Sequence, residues 1–222
     1  YFEDLNVSTS TDFLSQPRPN KIAINGPISL KNYLDVNQQA NNLEKVEAIR
    51  FESFGRSKKL INNNLNQKNT LLVLGDYVLD TTIALLSLLN NINPTILNNY
   101  NIIFKSHPST IIEANQFNNL NLMVSSNSIS EILPQVNAII SSGNTTAPIE
   151  GIISGLPLIV VLDNDNFNFS PFRGVKGVRF AKTGKELEDS INQLSLDGNV
   201  KYENQFFWID SKLPRWKALL NL

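Results

Sequence analysis

The sequence predicts an α/β fold built on a doubly wound parallel sheet, and three observations carry that reading. From about Thr70 onward short apolar runs recur with helical patterns between them, as strands buried on both faces do. Small turn-forming residues close the runs, as in Gly75-Asp76 and Ser141-Ser142-Gly143. The intervals leave room for crossover helices, so neighbouring strands pair in parallel.

The elements follow in order. Thr70-Leu71-Leu72-Val73-Leu74 is an uninterrupted apolar run stopped by Gly75-Asp76-Tyr77, and Thr81 to Leu89 has helical character. Ile102-Ile103-Phe104 and Asn121-Leu122-Met123-Val124 are the next strands, and Ser128 opens a helix that runs to Leu133. Ala138-Ile139-Ile140, a helix from about Thr145 to Ser154, and Leu158-Ile159-Val160-Val161 complete the main series. Asp163 to Gly177 reads as a long loop, in which Phe167, Phe169 and Phe172 argue against disorder. Val178-Arg179-Phe180 is a further strand and Gly184 to Leu194 a helix. Gln205 to Leu222, with Trp208 and Trp216, reads as a short strand and a terminal helix.

Ahead of this series the rhythm differs. Lys21 to Gly26 is one strand, Leu30 to Val36 a short helix, and Val46 to Phe51 another apolar piece. Ser57 to Lys68 is polar and reads as a linker. Residues 1–66 are therefore expected to be the tail of a preceding domain plus a linker, and residues 67–222 the sheet domain. The opening Tyr1, with no methionine and no signal-peptide pattern, reads as part of a longer protein.

Composition removes several function classes. The chain has 222 residues, enough to bury a sizeable core. Its formal net charge of −1, from 19 basic and 20 acidic residues, gives no bulk attraction to nucleic acid. The absence of cysteine excludes disulfides, thiolate nucleophiles and cysteine metal sites, and a single histidine excludes a His-rich centre. No metal or other cofactor is expected. The longest apolar run, Gly151 to Leu162, is interrupted by Ser154, Gly155 and Pro157 and is too short to span a bilayer. Cytoplasmic residence is expected, with at most peripheral membrane association. Asparagine clusters such as Asn62-Asn63-Asn64 and Asn118-Asn119 read as surface drift.

Two stretches point to phosphate. Ser141-Ser142-Gly143-Asn144-Thr145-Thr146-Ala147-Pro148-Ile149-Glu150 follows a strand and leads into a helix. Thr145 or Thr146 as its cap would leave backbone N–H groups at the positive end free for an anion, the alternative being a plain helix cap. Lys105-Ser106-His107-Pro108 places the only histidine at a strand's carboxyl end, where such sheets collect ligands; a structural histidine beside a proline is the competing reading. Gly75 and Asp76 end the first strand, as a ligand contact or as turn chemistry. Glu150 is either a ribose contact or a solvated or capping carboxylate. Phe167, Phe169 and Phe172 either flank a base or pack as a satellite core.

Lys105-Ser106-His107-Pro108 followed by Ser141-Ser142-(x)2-Thr145 resembles the Lys-x-His-Pro and Ser-Ser/Thr motifs of bacterial sialyltransferase-like enzymes. Those have the GT-B architecture of two Rossmann-like domains facing a cleft. The match runs from about Thr70 to Leu222 and is similar to the C-terminal, donor-binding half. The loop Asn166 to Arg173, and Phe206-Phe207-Trp208 with Arg215-Trp216, are similar to surface-carbohydrate biosynthesis proteins of that group. The resemblance implies a glycosyltransferase with a nucleotide-sugar donor, a CMP-sugar, and a carbohydrate acceptor in surface polysaccharide biosynthesis, at the inner face of a membrane. It assigns His107, Ser141, Ser142 and Thr145 to the donor's phosphate and ribose, with Lys105, Gly143, Asn144, Thr146, Glu150, Gly75 and Asp76 as further donor-side candidates.

One departure limits the transfer of function. The paired-acid-Gly motif that supplies the general base in those enzymes has no counterpart here, because Glu3-Asp4 is followed by Leu5. No catalytic residue is assigned. Two other classes stay open. A UDP-sugar 2-epimerase uses the same fold, although its Asp-Ser-Gly-Gly turn and Gln-Glu-Glu differ from Ser141-Ser142-Gly143-Asn144 and the single Glu150. A non-catalytic Rossmann-like interaction module is the third.

Overall fold

The computed structural model describes residues 19–36, 42–56, 68–113, 116–163, 170–194, 200 and 206–221. Glu3-Asp4, Asn62 to Asn64, residues 57–67 of the polar linker, Asn166, Phe167 and Phe169 lie outside the described residues. The chain divides into two compact units, residues 1–58 with 202–222, and residues 59–201. The C-terminal segment, which the sequence reading joins to the sheet domain, thus groups with the N-terminal residues.

In the first unit, β1 (Ile22–Ile24) and β2 (Leu43–Lys45) pair in parallel, with α1 (Pro27–Val36) between them in sequence. Residues 206–208 run beside them: Trp208 donates its N–H to Asn25 O at 3.0 Å, and Ala48 donates to Trp208 O at 2.9 Å. Such isolated bonds make no ladder, so the short strand expected near Gln205 is absent among the described residues. At Gly26 an added Cβ would overlap the Phe206 carbonyl, and the chain there can approach so closely only as glycine. Phe51 and Phe207 stack with ring centroids 4.4 Å apart.

The terminal helix α7 (Pro214–Leu220) takes its cap from a distant carboxylate. Leu213 enters it in the left-handed region, φ 50°, and offers no side-chain cap. Glu47, 2 % exposed, accepts the N–H groups of Arg215 and Trp216, each at 3.2 Å, while Trp216 Nε1 donates to Glu47 O at 2.7 Å. One buried side chain thereby satisfies two of the donors that a helix start leaves orphaned.

The second unit holds a six-stranded sheet of β3 (Asn69–Leu74), β4 (Tyr100–Lys105), β5 (Leu122–Val124), β6 (Ala138–Ser142), β7 (Leu158–Val161) and β8 (Val178–Ala181). The order is β5-β4-β3-β6-β7-β8 and every pairing is parallel. Counted within this unit the order is 3-2-1-4-5-6, that of Rossmann-like sheets, and the winding direction reverses between β3 and β6. The expected α/β class and doubly wound parallel sheet are what the structure has.

Helices cover the strands because both faces are apolar. On one face Leu71, Val73, Ile102, Phe104, Ala138, Ile140, Ile159 and Val161 form one core with Leu85, Leu86 and Leu89 of α2 (Leu79–Asn90) and Leu187 and Ile191 of α6 (Gly184–Gln193). The single turn α3 (Pro94–Leu97) adds Leu97. On the other face α5 (Ile149–Ile153) comes so near β6 that a Cβ on Gly151 would overlap Ile139 Cδ1. From the long loop, Phe172 is fully buried.

Capping boxes set two helix starts where the sequence puts hydroxyls. Ser128 opens the single turn α4 (Ile129–Ile132) with Glu131 returning to the Ser128 N–H at 2.8 Å. Thr183 opens α6, where Glu186 accepts from Lys182 and Thr183 N–H groups at 2.7 and 3.1 Å. These backbone hydrogen bonds hold both carboxyls below their ordinary pKa. A carboxyl depressed in the folded state contributes stability above its unfolded pKa and loses it as pH falls through the folded value. Glu186→Gln should therefore be less stable than the parent at neutral pH, and the gap should narrow as the pH is taken below the unperturbed glutamate value. Urea melts at neutral pH and below that value check this. Glu47→Ala should cost about 1–3 kcal/mol by leaving buried donors unpaired. Hydrogen exchange at the Arg215 and Trp216 amides should quicken more than at the core amides of β3.

Candidate functional site

The sheet collects its candidate residues at the carboxyl ends of β3, β4 and β6. Gly75 and Asp76 follow β3 directly, Ser106 and His107 follow β4, and Ser141 and Ser142 finish β6. Because β3 pairs with both β4 and β6, these three ends are neighbours. The register confirms it, with Leu74 opposite both Lys105 and Ser141. In an open parallel sheet this is where the helices diverge and a crevice forms.

Hydrogen bonds fasten the three ends together. Gly75 N–H donates to Lys105 O at 3.0 Å. Asp76 is fully buried; its Oδ2 accepts the Ser142 hydroxyl at 2.8 Å and its Oδ1 the Val78 N–H at 3.2 Å. The Asp76 N–H donates to Thr82 Oγ1 at 2.8 Å, and Thr110 Oγ1 donates to Asp76 O at 2.9 Å. Thr110 also donates its N–H to His107 O at 3.0 Å. A continuous chain of bonds thus runs from Ser142 through Asp76 and Thr110 to the histidine.

Burial divides the candidates. Gly75, Asp76, Ser141, Ser142, Gly143 and Thr145 are buried, whereas Lys105, His107, Asn144, Thr146 and Glu150 are half-buried at these ends. A hydroxyl has one hydrogen, and Ser142 spends it on Asp76. Ser141 Oγ is buried with no hydrogen-bond partner among the described residues. His107 keeps its ring partly open, with Nδ1 held against Ser109 and Tyr77 edge-on to it at 6.3 Å and 69° between planes.

The turn after β6 departs from the expected helix. The sequence reading starts that helix at Thr145 or Thr146, but α5 begins at Ile149 with Pro148 as its N-cap residue and no side-chain cap. Pro148 disfavours the helical region for the residue before it, so a helix cannot run through Ala147. Thr145 Oγ1 accepts the Ala147 N–H at 3.2 Å, a local turn, and Glu150 falls in the first turn of α5. A five-residue helix offers no dipole on which to rest a phosphate site.

Sequence reasoning missed two contributors. Thr110 and Thr82 carry the hydrogen bonds that hold Asp76, and nothing in their local pattern sets them apart from other threonines. Tyr77, which the sequence places with Gly75 and Asp76 at the end of the first strand, is 58 % exposed there. Among the described residues no helix is long and apolar enough to cross a membrane.

No protein-family model matches the sequence, and no curated protein does. Solved structures do. The Methanocaldococcus jannaschii UDP-GlcNAc 2-epimerase in complex with UDP-GlcNAc and UDP is similar at TM-score 0.62 and 15% identity, over 96% of this chain and 63% of that one. The glycotransferase of kitacinnamycin is similar at TM-score 0.50 and 16% identity, over 81% and 47%. A structure of accessory secretory proteins 1, 2 and 3 from Streptococcus pneumoniae gives 0.52 and 13%, over 88% and 39%. The chain thus spans less than two thirds of the proteins it resembles. At such identities the likeness shows the fold: a Rossmann-like sheet of the kind found in GT-B glycosyltransferases.

The two adjacent serines should respond oppositely to removal of their hydroxyls. Ser142→Ala strips the buried Asp76 carboxylate of a donor and should cost about 1–3 kcal/mol. Ser141→Ala deletes a buried hydroxyl that has no partner among the described residues and should be neutral or stabilising. Urea denaturation with unchanged m-values reads both.

Proposed function

We propose that this chain binds a nucleotide-activated sugar through its phosphate, as the donor-binding portion of a glycosyltransferase. The observation that carries the reading is the meeting of the carboxyl ends of β3, β4 and β6 at the winding reversal, joined by the Asp76–Ser142 bond and with the half-buried His107 beside them. The similarity to the structures of a glycotransferase and of a UDP-GlcNAc 2-epimerase supports it at the level of fold.

In this proposal the exposed groups touch the donor and the buried ones hold them in place. His107 donates to the departing phosphate, with Lys105, Asn144 and Thr146 as further donors, and Glu150 accepts from ribose. Charge that grows on a leaving phosphate is stabilised most by donors already fixed in position. Asp76, Ser142, Thr145, Gly143 and Gly75 shape the strand ends, and Ser141 lies beneath them. The proposal needs no metal, and it assigns no general base. The sialyltransferase-like motifs favour a CMP-sugar and a role in surface polysaccharide synthesis, with cytoplasmic residence at a membrane's inner face.

A second reading, a UDP-sugar 2-epimerase-like enzyme, has one observation in its favour. The archaeal epimerase that this chain resembles at TM-score 0.62 was solved with UDP-GlcNAc and UDP. The turn Ser141-Ser142-Gly143-Asn144 lacks the acidic residue and second glycine of the epimerase turn, which is why the transferase comes first.

Calorimetry with CMP, UDP and GDP separates the readings. CMP should bind most tightly under the first, and UDP under the second. His107→Ala should lose about 1–3 kcal/mol of binding, the usual cost of a hydrogen bond to a charged group, and leave the urea midpoint unchanged. Equal and negligible binding of all three nucleotides would leave a non-catalytic interaction module.

A further inference from the structure

The corner that holds His107 fixes more than its position. Ser109 donates its backbone N–H to His107 Nδ1 at 3.2 Å, and the Ser109 hydroxyl lies 2.7 Å from the same nitrogen. A backbone N–H can only donate, so Nδ1 must present its lone pair. A hydrogen on Nδ1 would point at the Ser109 amide hydrogen and forfeit that bond. With Nδ1 bare, the hydroxyl donates into the same lone pair and both contacts are satisfied. The proton of the neutral ring then sits on Nε2.

The backbone makes this arrangement rigid. Pro108 fixes its own φ between the two residues. Thr110 returns its N–H to His107 O at 3.0 Å and is anchored in turn to Asp76 O at 2.9 Å. The His107 backbone is thereby tied through Thr110 to the end of β3, while Tyr77 lies edge-on to the ring. Among the described residues, the charged and titratable groups at these strand ends include Asp76, whose carboxyl is occupied by Ser142 and Val78, Lys105 at the end of β4, Glu150 in the first turn of α5, and the Tyr77 phenol.

We propose that Ser109 is a positioning residue that keeps Nδ1 of His107 as an acceptor, so that the neutral ring is the Nε2–H tautomer and offers an anionic ligand a hydrogen-bond donor fixed in direction. The inference deepens the donor-site reading and rests on it for the identity of the ligand, a nucleotide phosphate. Its geometric half stands without any ligand. A neutral donor is aimed, where a protonated ring attracts anions from every side, so the corner favours an oxygen placed along Nε2–H.

The protein contains one histidine, so its imidazole nitrogens can be assigned without ambiguity. Long-range proton–nitrogen NMR of the nucleotide-free chain at about pH 8, above the unperturbed histidine range, should show a pyrrole-like Nε2 and a bare Nδ1. Ser109→Ala should move the Nδ1 resonance toward that of a non-bonded nitrogen, and Ser109→Thr should restore it. A pyrrole-like Nδ1 in the parent, or an Nδ1 resonance indifferent to Ser109→Ala, overturns the proposal. Adding CMP should shift Nε2 and leave Nδ1 bare; a ring protonated at both nitrogens in the complex would also overturn it. The spectra without nucleotide do not depend on binding, so failure of the donor reading in calorimetry and failure of the tautomer are separate results.

Discussion

Everything at the sheet's carboxyl edge depends on one buried hydrogen bond, from the Ser142 hydroxyl to the Asp76 carboxylate. It joins the end of β6 to the end of β3, the two strands between which the winding reverses. On either side of that reversal the connections leave in opposite directions, and only backbone pairing up to Leu74 and Ser141 holds the strands together. Beyond it Asp76 and Ser142 continue the tie with side chains. A fully buried carboxylate is costly unless paired, so the pair is also self-enforcing: each partner is needed to make the other's burial tolerable.

The same bond constrains where an anion can sit. Both oxygens of Asp76 are engaged, by the Ser142 hydroxyl and the Val78 N–H, so its carboxyl is held as an acceptor and is not a donor for an anion. In the donor-site proposal the phosphate lies toward Lys105 and His107, whose loop Thr110 holds to Asp76 through its backbone carbonyl rather than its carboxylate.

The fold was legible because its signals are local. Leu71 to Leu74, Ile102 to Phe104 and Leu158 to Val161 are apolar on successive residues, the mark of strands covered on both faces, and all are central or next to central in the sheet. Ser128 announces a helix start through a hydroxyl that does close a capping box, and the helix read from Gly184 is opened in the same way by Thr183. What escaped was non-local or negative. The return of residues 206–221 to the first unit rests on Glu47 accepting from residues 168 and 169 positions away, a separation no periodicity encodes. The helix assigned to Thr145 failed because the hydroxyl signal was read without the proline three residues on.

That error also changes which chemistry the serine–threonine turn can supply. A capped helix would present free backbone N–H groups and a dipole, and its hydroxyls would matter only as caps. In the observed turn Thr145 accepts the Ala147 N–H, Ser142 is spent on Asp76, and Ser141 is buried. The sequence motif therefore works from beneath the crevice, fixing the end of β6, while the groups left facing outward are His107 with its Nε2 side open, Lys105, Asn144 and Thr146. Under the donor-site proposal, recognition in this corner is a matter of a few side-chain donors, Asn144 and Thr146 of the turn among them, held by a buried frame that Ser141, Ser142 and Thr145 help to build.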